Sequence, residues 1–507
     1  MRSTQIPKTA RPFLFYARTY RNMKLKFVSV FAFVPLLLAE VARNKSLPTT
    51  LDFILQRRKL GLFSMYATVF ATWMSAFAFI GAITYFYEEG PIYMTTVGWD
   101  ALFALLFVVV GKRLWYYGKV RNYMTPRDFF SDIYGSELLN VIVSAITIVS
   151  TMIYLQVQIL AGFLVLSVST EGIISLHMSG IIFFSILVIY IWAGGLRAVA
   201  LTDIFYGILI IIAIISSGIF LIHEAGGVKH TFDLLIQSDP ANVSIIGGDA
   251  EKRTGMWLAL FIIVPVGAFM GPQIWLRNYA SSSEKNFDIL PLLLYITSFV
   301  CIGTLFAGSA GTVLAGEVEN PDTILVTLIR EYAHPFFNTF IIVGIYAAIF
   351  STANSQVHAL SAVYTMDVHK RYINKNIPDR GLLKVAKWTV LLISVIAYVL
   401  ILLIPQNIFD LGIVALGGTT HLIVPVVGAL FWKRSTAQGA ISGIVVGEIV
   451  FFLGVALASW DTSLSAITGL ICNLIVFIAV SLSEVDYLTA AKITKYRNEY
   501  NEKCNAK

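Results

Sequence analysis

Residues 347–368, AAIFSTANSQVHALSAVYTMDV, form a polar stretch in a chain whose other long segments are almost purely apolar. Wound as a helix of 3.6 residues per turn, the stretch places four polar side chains on one stripe, namely Ser351, Ser355, His358 and Thr365. Thr352 lies about 100° away on the next flank. Polar side chains among Phe, Ile and Leu must face other polar groups, so the stretch predicts a polar site inside an apolar fold.

The composition indicates that the surroundings of this stretch are a lipid bilayer. Of the 507 residues, 57% are hydrophobic and 13% are charged, and the mean hydropathy is +0.76. Such a chain is typical of an integral membrane protein. Cys301, Cys472 and Cys504 are too far apart for a disulfide framework or a metal site, and no catalytic cluster or phosphate-binding loop stands out. We therefore expect neither an enzyme nor an organic cofactor.

Thirteen apolar runs are candidates for membrane spans, one of them short. They cover 27–42, 62–87, 92–114, 137–166, 173–193, 198–222, 255–276, 288–316, 336–366, 382–404, 408–432, 437–458 and 465–483. If the first run crosses from outside to inside, 26 of the 37 lysines and arginines lie on the cytoplasmic side, as the positive-inside rule requires. Membrane topology thus explains the net charge of +7, and we expect no nucleic-acid partner.

The N-terminus conflicts with this topology, because seven basic residues precede residue 27 and would lie outside. One hypothesis is that Met23 is the true start of the protein. A second is that residues 24–42 are a cleavable signal, since Lys24 and Lys26 precede a short apolar run. We expect the N-terminus outside and the C-terminus in the cytoplasm.

A second informative stretch is IWAGGLRAVALTDIFYG, residues 191–207. The Gly-Gly pair between two apolar runs predicts a tight turn, with Arg197 at the cytoplasmic edge and Asp203 about two turns into the next span. A carboxylate at that depth is costly unless it is paired or hydrated, which favours a functional role. The alternative is a structural aspartate at the start of a helix, anchored by Arg197.

Together these motifs resemble the sodium:solute symporter family. The resemblance is carried by GGLRAVALTD (194–203), AAIFSTANSQ (347–356) with TMDVHKRY (365–372), and PVVGALFWKRSTAQGAISG (425–443). It implies a secondary active transporter of the cell membrane that moves a small organic solute together with Na⁺ by alternating access.

The resemblance also implies an all-α, LeuT-type fold, in which two five-helix repeats are inverted around a central site. The interrupted first helices of the repeats are expected near Met74–Gly81 and Pro265–Gly271. We expect seven segments along the chain: a basic tail (1–26), a leading helix and loop (27–61), the first repeat (62–222), an extracellular loop (223–254), the second repeat (255–432), two peripheral helices (433–483) and a charged, solvated cytoplasmic tail (484–507).

For the cation site, the resemblance implies that Na⁺ is bound by two hydroxyls and three backbone carbonyls. The hydroxyls belong to Ser351 and Thr352, and the carbonyls to Ala71, Met74 and Ala348. Oxygen ligands freed by an interrupted helix suit a hard monovalent cation. The alternative for the hydroxyls is a bond to the carbonyl four residues earlier on the same helix. Asp203 matches the family's acidic residue on the sodium path.

The solute is less well defined by the sequence. Ala78 and Gly412 stand where sugar carriers have polar contacts, and Val264 and Ala268 where proline carriers have aromatic ones, so neither solute is favoured. We expect a small pocket lined by Ser75, Phe77, Tyr154, Gln158, Val264 and Ala268, with His421 nearby. Because helix N-termini attract anions, a small monocarboxylate or an apolar amino acid is the preferred solute.

Two other functions stay open at this point. A proton-coupled carrier of the same fold would use Asp203 or His421, and a non-transporting membrane sensor is less favoured because no signalling domain is attached. Four further acidic residues fall in or at the ends of spans, and we interpret each as a contact within the bundle or as a residue placed at the membrane interface: Glu40, Asp100, Asp410 and Glu448. The oligomeric state is left undetermined.

Overall fold

The computed structural model describes residues 34–90, 94–170, 176–243, 250–315, 318–401, 408–456 and 460–505. The basic tail, the proposed start at Met23 and residues 27–33 of the short first run lie outside the described residues.

Regular structure in the described part of the chain is helical, apart from one isolated bridge between Leu60 and Ser281. The α-helices are α1 (34–45), α2 (Thr50–Leu55), α3 (Leu62–Trp73), α4 (Ala82–Glu89), α5 (Thr95–Leu106), α6 (Lys112–Arg121), α7 (Pro126–Tyr134), α8 (Glu137–Ser169), α9 (Leu176–Glu224), α10 (Val228–Ser238), α11 (Ala250–Met270), α12 (Pro272–Ala280), α13 (Asn286–Ser298), α14 (Cys301–Leu314), α15 (Ile324–Tyr332), α16 (Pro335–Val363), α17 (Asp379–Ile401), α18 (Ile408–Thr420), α19 (Ile423–Phe431), α20 (Ala437–Ala456), α21 (Thr462–Ser483) and α22 (Tyr487–Asn505). The prediction of an all-α membrane protein is confirmed.

Nine segments of the described chain are long and apolar enough to cross a bilayer as continuous helices, and two bent pairs bring the number to eleven. The predicted runs 27–42 and 173–193 extend over residues that are not described. The total of thirteen spans therefore stays a prediction.

The two bent pairs are the predicted interrupted helices. Between Leu62–Trp73 and Phe77–Glu89 the axis turns by 58°, and between Thr254–Met270 and Pro272–Ala280 it turns by 56°. The second break is centred on Gly271, while Pro265 lies within α11. Both predicted interruptions are confirmed, the second at the C-terminal end of its expected range.

Helix α16, which carries the polar stretch, lies at the centre of the bundle. It packs against α9, α8, α3 and α12, and the residues from Ala347 to Val363 are all buried. The whole polar stripe from Ser351 to Thr365 is therefore inside the protein rather than facing lipid.

Glycines allow several helices to approach closely. A Cβ atom on Gly267 of α11 would overlap the carbonyl oxygen of Leu416 on α18, and one on Gly218 of α9 would overlap the backbone of Gly303 on α14. Gly195, with φ of 55°, breaks α9 at the predicted Gly-Gly turn.

The C-terminal segment differs from the solvated tail expected from its charge. Its helix α22 is docked on the protein: Lys503 pairs with Glu284 at 2.7 Å, and Glu499 pairs with Arg121 at 2.8 Å. The hydroxyl of Tyr496 donates to the carboxylate of Asp132, with O···O distances of 2.9 and 3.0 Å. Burial and this hydrogen bond raise the pKa of Tyr496 to about 12, so it stays a donor at neutral pH.

Candidate cation and solute site

The break after α3 releases two backbone carbonyl groups inside the bundle. In a continuous helix the N–H groups of Ser75 and Ala76 would donate to the carbonyls of Ala71 and Thr72. Here Ser75 N donates to Trp73 O at 2.8 Å, and Ala76 N donates to the side-chain oxygen of Gln158 at 3.1 Å. Ala71 and Thr72 therefore need other partners, because an unpaired carbonyl is costly in an apolar interior.

The two adjacent hydroxyls of α16 supply these partners. Ser351 Oγ donates to Ala71 O at 2.7 Å, and Thr352 Oγ1 donates to Thr72 O at 3.0 Å. Ser351 Oγ also lies 3.0 Å from Ala348 O on its own helix. Bonding within α16 thus accounts for only part of the contacts of Ser351, and its bond to α3 is the shorter one.

These contacts bring most of the predicted cation ligands together. Ser351, Ala71 and Ala348 share one set of hydrogen bonds, whereas Thr352 contacts the carbonyl of Thr72, which is not in the predicted set. Met74 caps the C-terminus of α3. A hydroxyl that donates to a carbonyl can instead turn its lone pairs toward a cation held between the two, so the arrangement suits Na⁺.

Asp203 lies nearby in a second buried group. Its carboxylate accepts a hydrogen bond from Thr68 Oγ1 and lies 3.5 Å from the guanidinium of Arg277, and both charged side chains are fully buried. Arg277 Nε also donates to Thr68 Oγ1 at 3.0 Å. Arg197 does not anchor Asp203 and instead pairs with Asp52 at 3.1 Å.

Arg277 connects Asp203 to the helix that carries the cation ligands. Its Nη2 donates to Ser355 Oγ at 2.5 Å, and Ser355 in turn donates to the carbonyl of Ser351 at 2.8 Å. Ser355 Oγ also lies 2.9 Å from Thr72 Oγ1. We call Asp203, Thr68, Arg277 and Ser355 the buried ionic network.

Arg277 is not a loop residue, although it directly follows the apolar run 255–276 and is one of the 26 basic residues expected on the cytoplasmic side. It belongs to α12 and has no exposed side-chain surface. The bend at Gly271 turns α12 into the bundle, which hydropathy alone does not reveal.

A small cavity lies beside the first break. Of the predicted pocket residues, Phe77, Tyr154 and Val264 line it, and so does Met74. Its volume in this structure is about 30 Å³, far below the roughly 300–1,000 Å³ of typical ligand pockets. The cavity would therefore have to widen before it could hold an organic solute.

Ser75, Gln158 and Ala268 are buried but do not line the cavity. Ser75 Oγ lies 3.0 Å from the hydroxyl of Tyr154, and Gln158 holds the N–H of Ala76. Ser75 thus contacts Tyr154 in the cavity wall, and Gln158 stabilises the break of α3.

The structure does not bring His421 to this cavity. His421 Nδ1 lies 3.2 Å from Glu448 of α20, and its carbonyl oxygen accepts a bond of 2.8 Å from Asn473 of α21. Glu448 is thus an interhelical contact, as interpreted from the sequence.

The cavity residues that were not predicted include Trp73, Trp99 and Asp100. Asp100 had been interpreted as a contact between helices, and it does accept a hydrogen bond from Trp73 Nε1. It also lines the cavity, which the interpretation did not foresee. The available signal was a carboxylate directly after Trp99 in an apolar run.

Comparisons with known proteins agree with the fold and the motifs. The sequence model of the sodium:solute symporter family matches residues 53–447. The chain is 26% identical to a sodium/pantothenate symporter of Escherichia coli over 419 residues, which cover 81% of the chain and 85% of that protein. It is 26% identical to a sodium/proline symporter of Haemophilus influenzae over 434 residues, covering 81% and 84% of the two proteins.

Among solved structures, the fold is similar to that of a Na⁺-coupled sialic acid symporter in its substrate-bound, outward-open state. The TM-score is 0.78 at 17% identity, with 91% of this chain and 98% of that chain covered. This likeness shows the LeuT-type arrangement of two inverted five-helix repeats. The chain therefore belongs to the sodium:solute symporter family.

Proposed function

We propose that the protein takes up a small organic solute by coupling its entry to the downhill flow of Na⁺. Membership of the family makes it a multi-pass membrane transporter related to sodium-coupled symporters. The observation that carries the ion assignment is the pairing of the Ser351 and Thr352 hydroxyls with the carbonyls of Ala71 and Thr72 at the break of α3.

In the proposed mechanism, Na⁺ replaces these hydrogen bonds and holds α3 against α16. An ion that binds one conformation better shifts the population toward it, which links Na⁺ binding to the closing of the adjacent cavity. We assign Asp203 to the path by which the ion leaves toward the cytoplasm. The proposed topology has the N-terminus outside and the C-terminus inside.

The driving force is adequate for uptake. One charge crossing 100 mV contributes about 2.3 kcal/mol. A tenfold sodium gradient adds about 1.4 kcal/mol. Together they support accumulation of a neutral solute by several hundredfold, on the order of 10² to 10³. A monovalent anion moved with one Na⁺ would lose the voltage contribution.

The test is solute uptake into proteoliposomes under three imposed gradients: inward Na⁺, inward K⁺, and inward H⁺ without Na⁺. The panel contains small monocarboxylates, apolar amino acids and vitamins, because the relatives are named for both proline and pantothenate. We expect uptake only with the Na⁺ gradient. Uptake driven equally well by H⁺ would favour the second candidate, a proton-coupled carrier, for which the pair of buried His421 and partly exposed Glu448 is the relevant observation.

A further inference from the structure

We propose that the cavity, once it widens, binds the positively charged nitrogen of a small solute, with Asp100 as its counter-ion. This inference rests on the proposed function and chooses between its two solute classes: it favours a small amino acid over a monocarboxylate. Nothing in the names of the relatives makes this choice, since proline carries a charged nitrogen and pantothenate does not.

The first argument is the charge of the cavity. Asp100 lies on α5, is 6% exposed and lines the cavity. Its carboxylate accepts a hydrogen bond from the uncharged indole of Trp73. No lysine, arginine or histidine in the described residues forms an ion pair with it, in contrast to Asp203, which has Arg277. A carboxylate inside a membrane protein is costly without a cation, and a bound solute can supply one.

The second argument is the aromatic lining. Trp73, Phe77, Trp99 and Tyr154 surround the same cavity. The faces of aromatic rings attract ammonium groups, and tryptophan does so most strongly. A carboxylate beside aromatic rings is therefore a good environment for a charged nitrogen. A monocarboxylate would meet a like charge and gain nothing from the rings.

The third argument is the position of Trp73 at the break of α3. Its indole donates to Asp100, its carbonyl accepts from Ser75 N, and its ring stacks on Phe103 with centroids 4.3 Å apart. The preceding two residues, Ala71 and Thr72, carry the carbonyls assigned to the cation site. A nitrogen bound at Asp100 would therefore lie beside the break of α3, where Na⁺ is proposed to bind. The solute and the ion would then both contact the end of α3.

The experiment compares solutes that match in shape and differ in charge. The first pair is L-proline and cyclopentanecarboxylate, and the second is choline and its uncharged isostere 3,3-dimethyl-1-butanol. Binding is measured on purified full-length protein by thermal stabilisation in Na⁺ and again in K⁺. An independent readout is protection of Cys301, which lines the cavity, from N-ethylmaleimide after Cys472 and Cys504 are replaced by serine.

We expect at least one nitrogen-bearing solute to bind in Na⁺ about tenfold or more tightly than its partner, equivalent to about 1.4 kcal/mol. Asp100→Asn should reduce this ratio to below about threefold, and Asp100→Glu should retain most of it. The control is Asp410→Asn, which removes an exposed carboxylate at the start of α18 and should leave the ratio unchanged.

Equal or tighter binding of the nitrogen-free partners would overturn the inference, and so would an unchanged ratio in Asp100→Asn or no binding by either nitrogen-bearing solute. If Asp100→Asn does not fold, the inference is tested by two measurements on protein that retains Asp100. These are the affinity ratio of the paired solutes and the protection of Cys301. Failure of the proposed function looks different: solutes would bind or enter equally well in Na⁺ and K⁺, whatever their charge.

Discussion

Ser351 Oγ donates a hydrogen bond of 2.7 Å to the carbonyl oxygen of Ala71, from the central helix α16 to the end of the broken helix α3. The bond exists because the break turns the N–H of Ser75 away from that carbonyl. A hydroxyl and a released carbonyl are both oxygen ligands for a monovalent cation, and here they meet at the contact between α16 and the end of α3.

The first prediction concerns these hydroxyls. Replacing Ser351 and Thr352 together by alanine should abolish sodium stimulation of uptake or weaken the sodium affinity about tenfold or more, because a polar contact with a charged group contributes about 1.5–3 kcal/mol. Sodium titrations of uptake and of thermal stability measure the effect. Ser361→Ala is the matched control, since Ser361 lies on the same helix and donates to Ala386 O. Unaltered sodium dependence in the double variant would contradict the assignment.

The second prediction concerns the buried ionic network. Arg277→Met leaves the carboxylate of Asp203 buried without its cation, and we expect a loss of about 3–5 kcal/mol in stability. Asp203→Asn in the same chain should restore part of it. Thermal unfolding, monitored by size-exclusion chromatography, ranks the variants by their stability.

The control for that experiment is Arg371→Gln, which breaks a half-exposed ion pair with Glu137 and should cost less than about 1 kcal/mol. If Arg277→Met lowered the stability no more than this control does, the buried ionic network would not stabilise the fold as expected.

The third prediction concerns the close contact between α11 and α18. Gly267→Ala would place a methyl group against Leu416 O and within 2.8 Å of Thr420 Oγ1. The backbone carbonyl of Leu416 cannot move without shifting α18, so we expect a marked loss of folded protein. Gly61→Ala is the control because no atom lies within 4 Å of its added Cβ. Similar yields of the two variants would show that α11 and α18 are further apart than described.

The fourth prediction concerns the docked helix α22. Lys503→Glu places two carboxylates together at Glu284 and removes the ammonium from the rings of Trp115 and Tyr116. We expect α22 to detach, which should speed trypsin cleavage after Arg121 because its partner Glu499 leaves with the helix. Lys495→Glu makes the same charge change at an exposed position of α22. Equal cleavage rates in the two variants would argue against docking.

The polar stripe of α16 could be predicted from the sequence because helical periodicity is a local property. Ser351 and Ser355 fall on one side of any helix that contains them, and their apolar neighbours require that this side be buried. The break of α3 was predicted through resemblance, and its position near Met74 agrees with the structure. The predicted set of cation ligands itself remains a proposal.

The partners of the buried charges could not be predicted in this way. Arg277 reaches Asp203 only because α12 turns by 56° at Gly271, and Asp100 meets Trp73 from a different helix. His421 faces α20 and α21, which follow the repeats in the chain. Such pairs depend on how helices distant in sequence are oriented, and a single sequence contains no direct record of that orientation.

The hydrogen bonds between α3 and α16 also bear on the step in which the carrier returns without cargo. If Na⁺ binds as proposed, its departure would not leave the carbonyls of Ala71 and Thr72 unpaired, because the hydroxyls of Ser351 and Thr352 donate to them in this structure. These bonds would lower the free-energy cost of returning the unloaded protein, because an unpaired buried carbonyl is unfavourable.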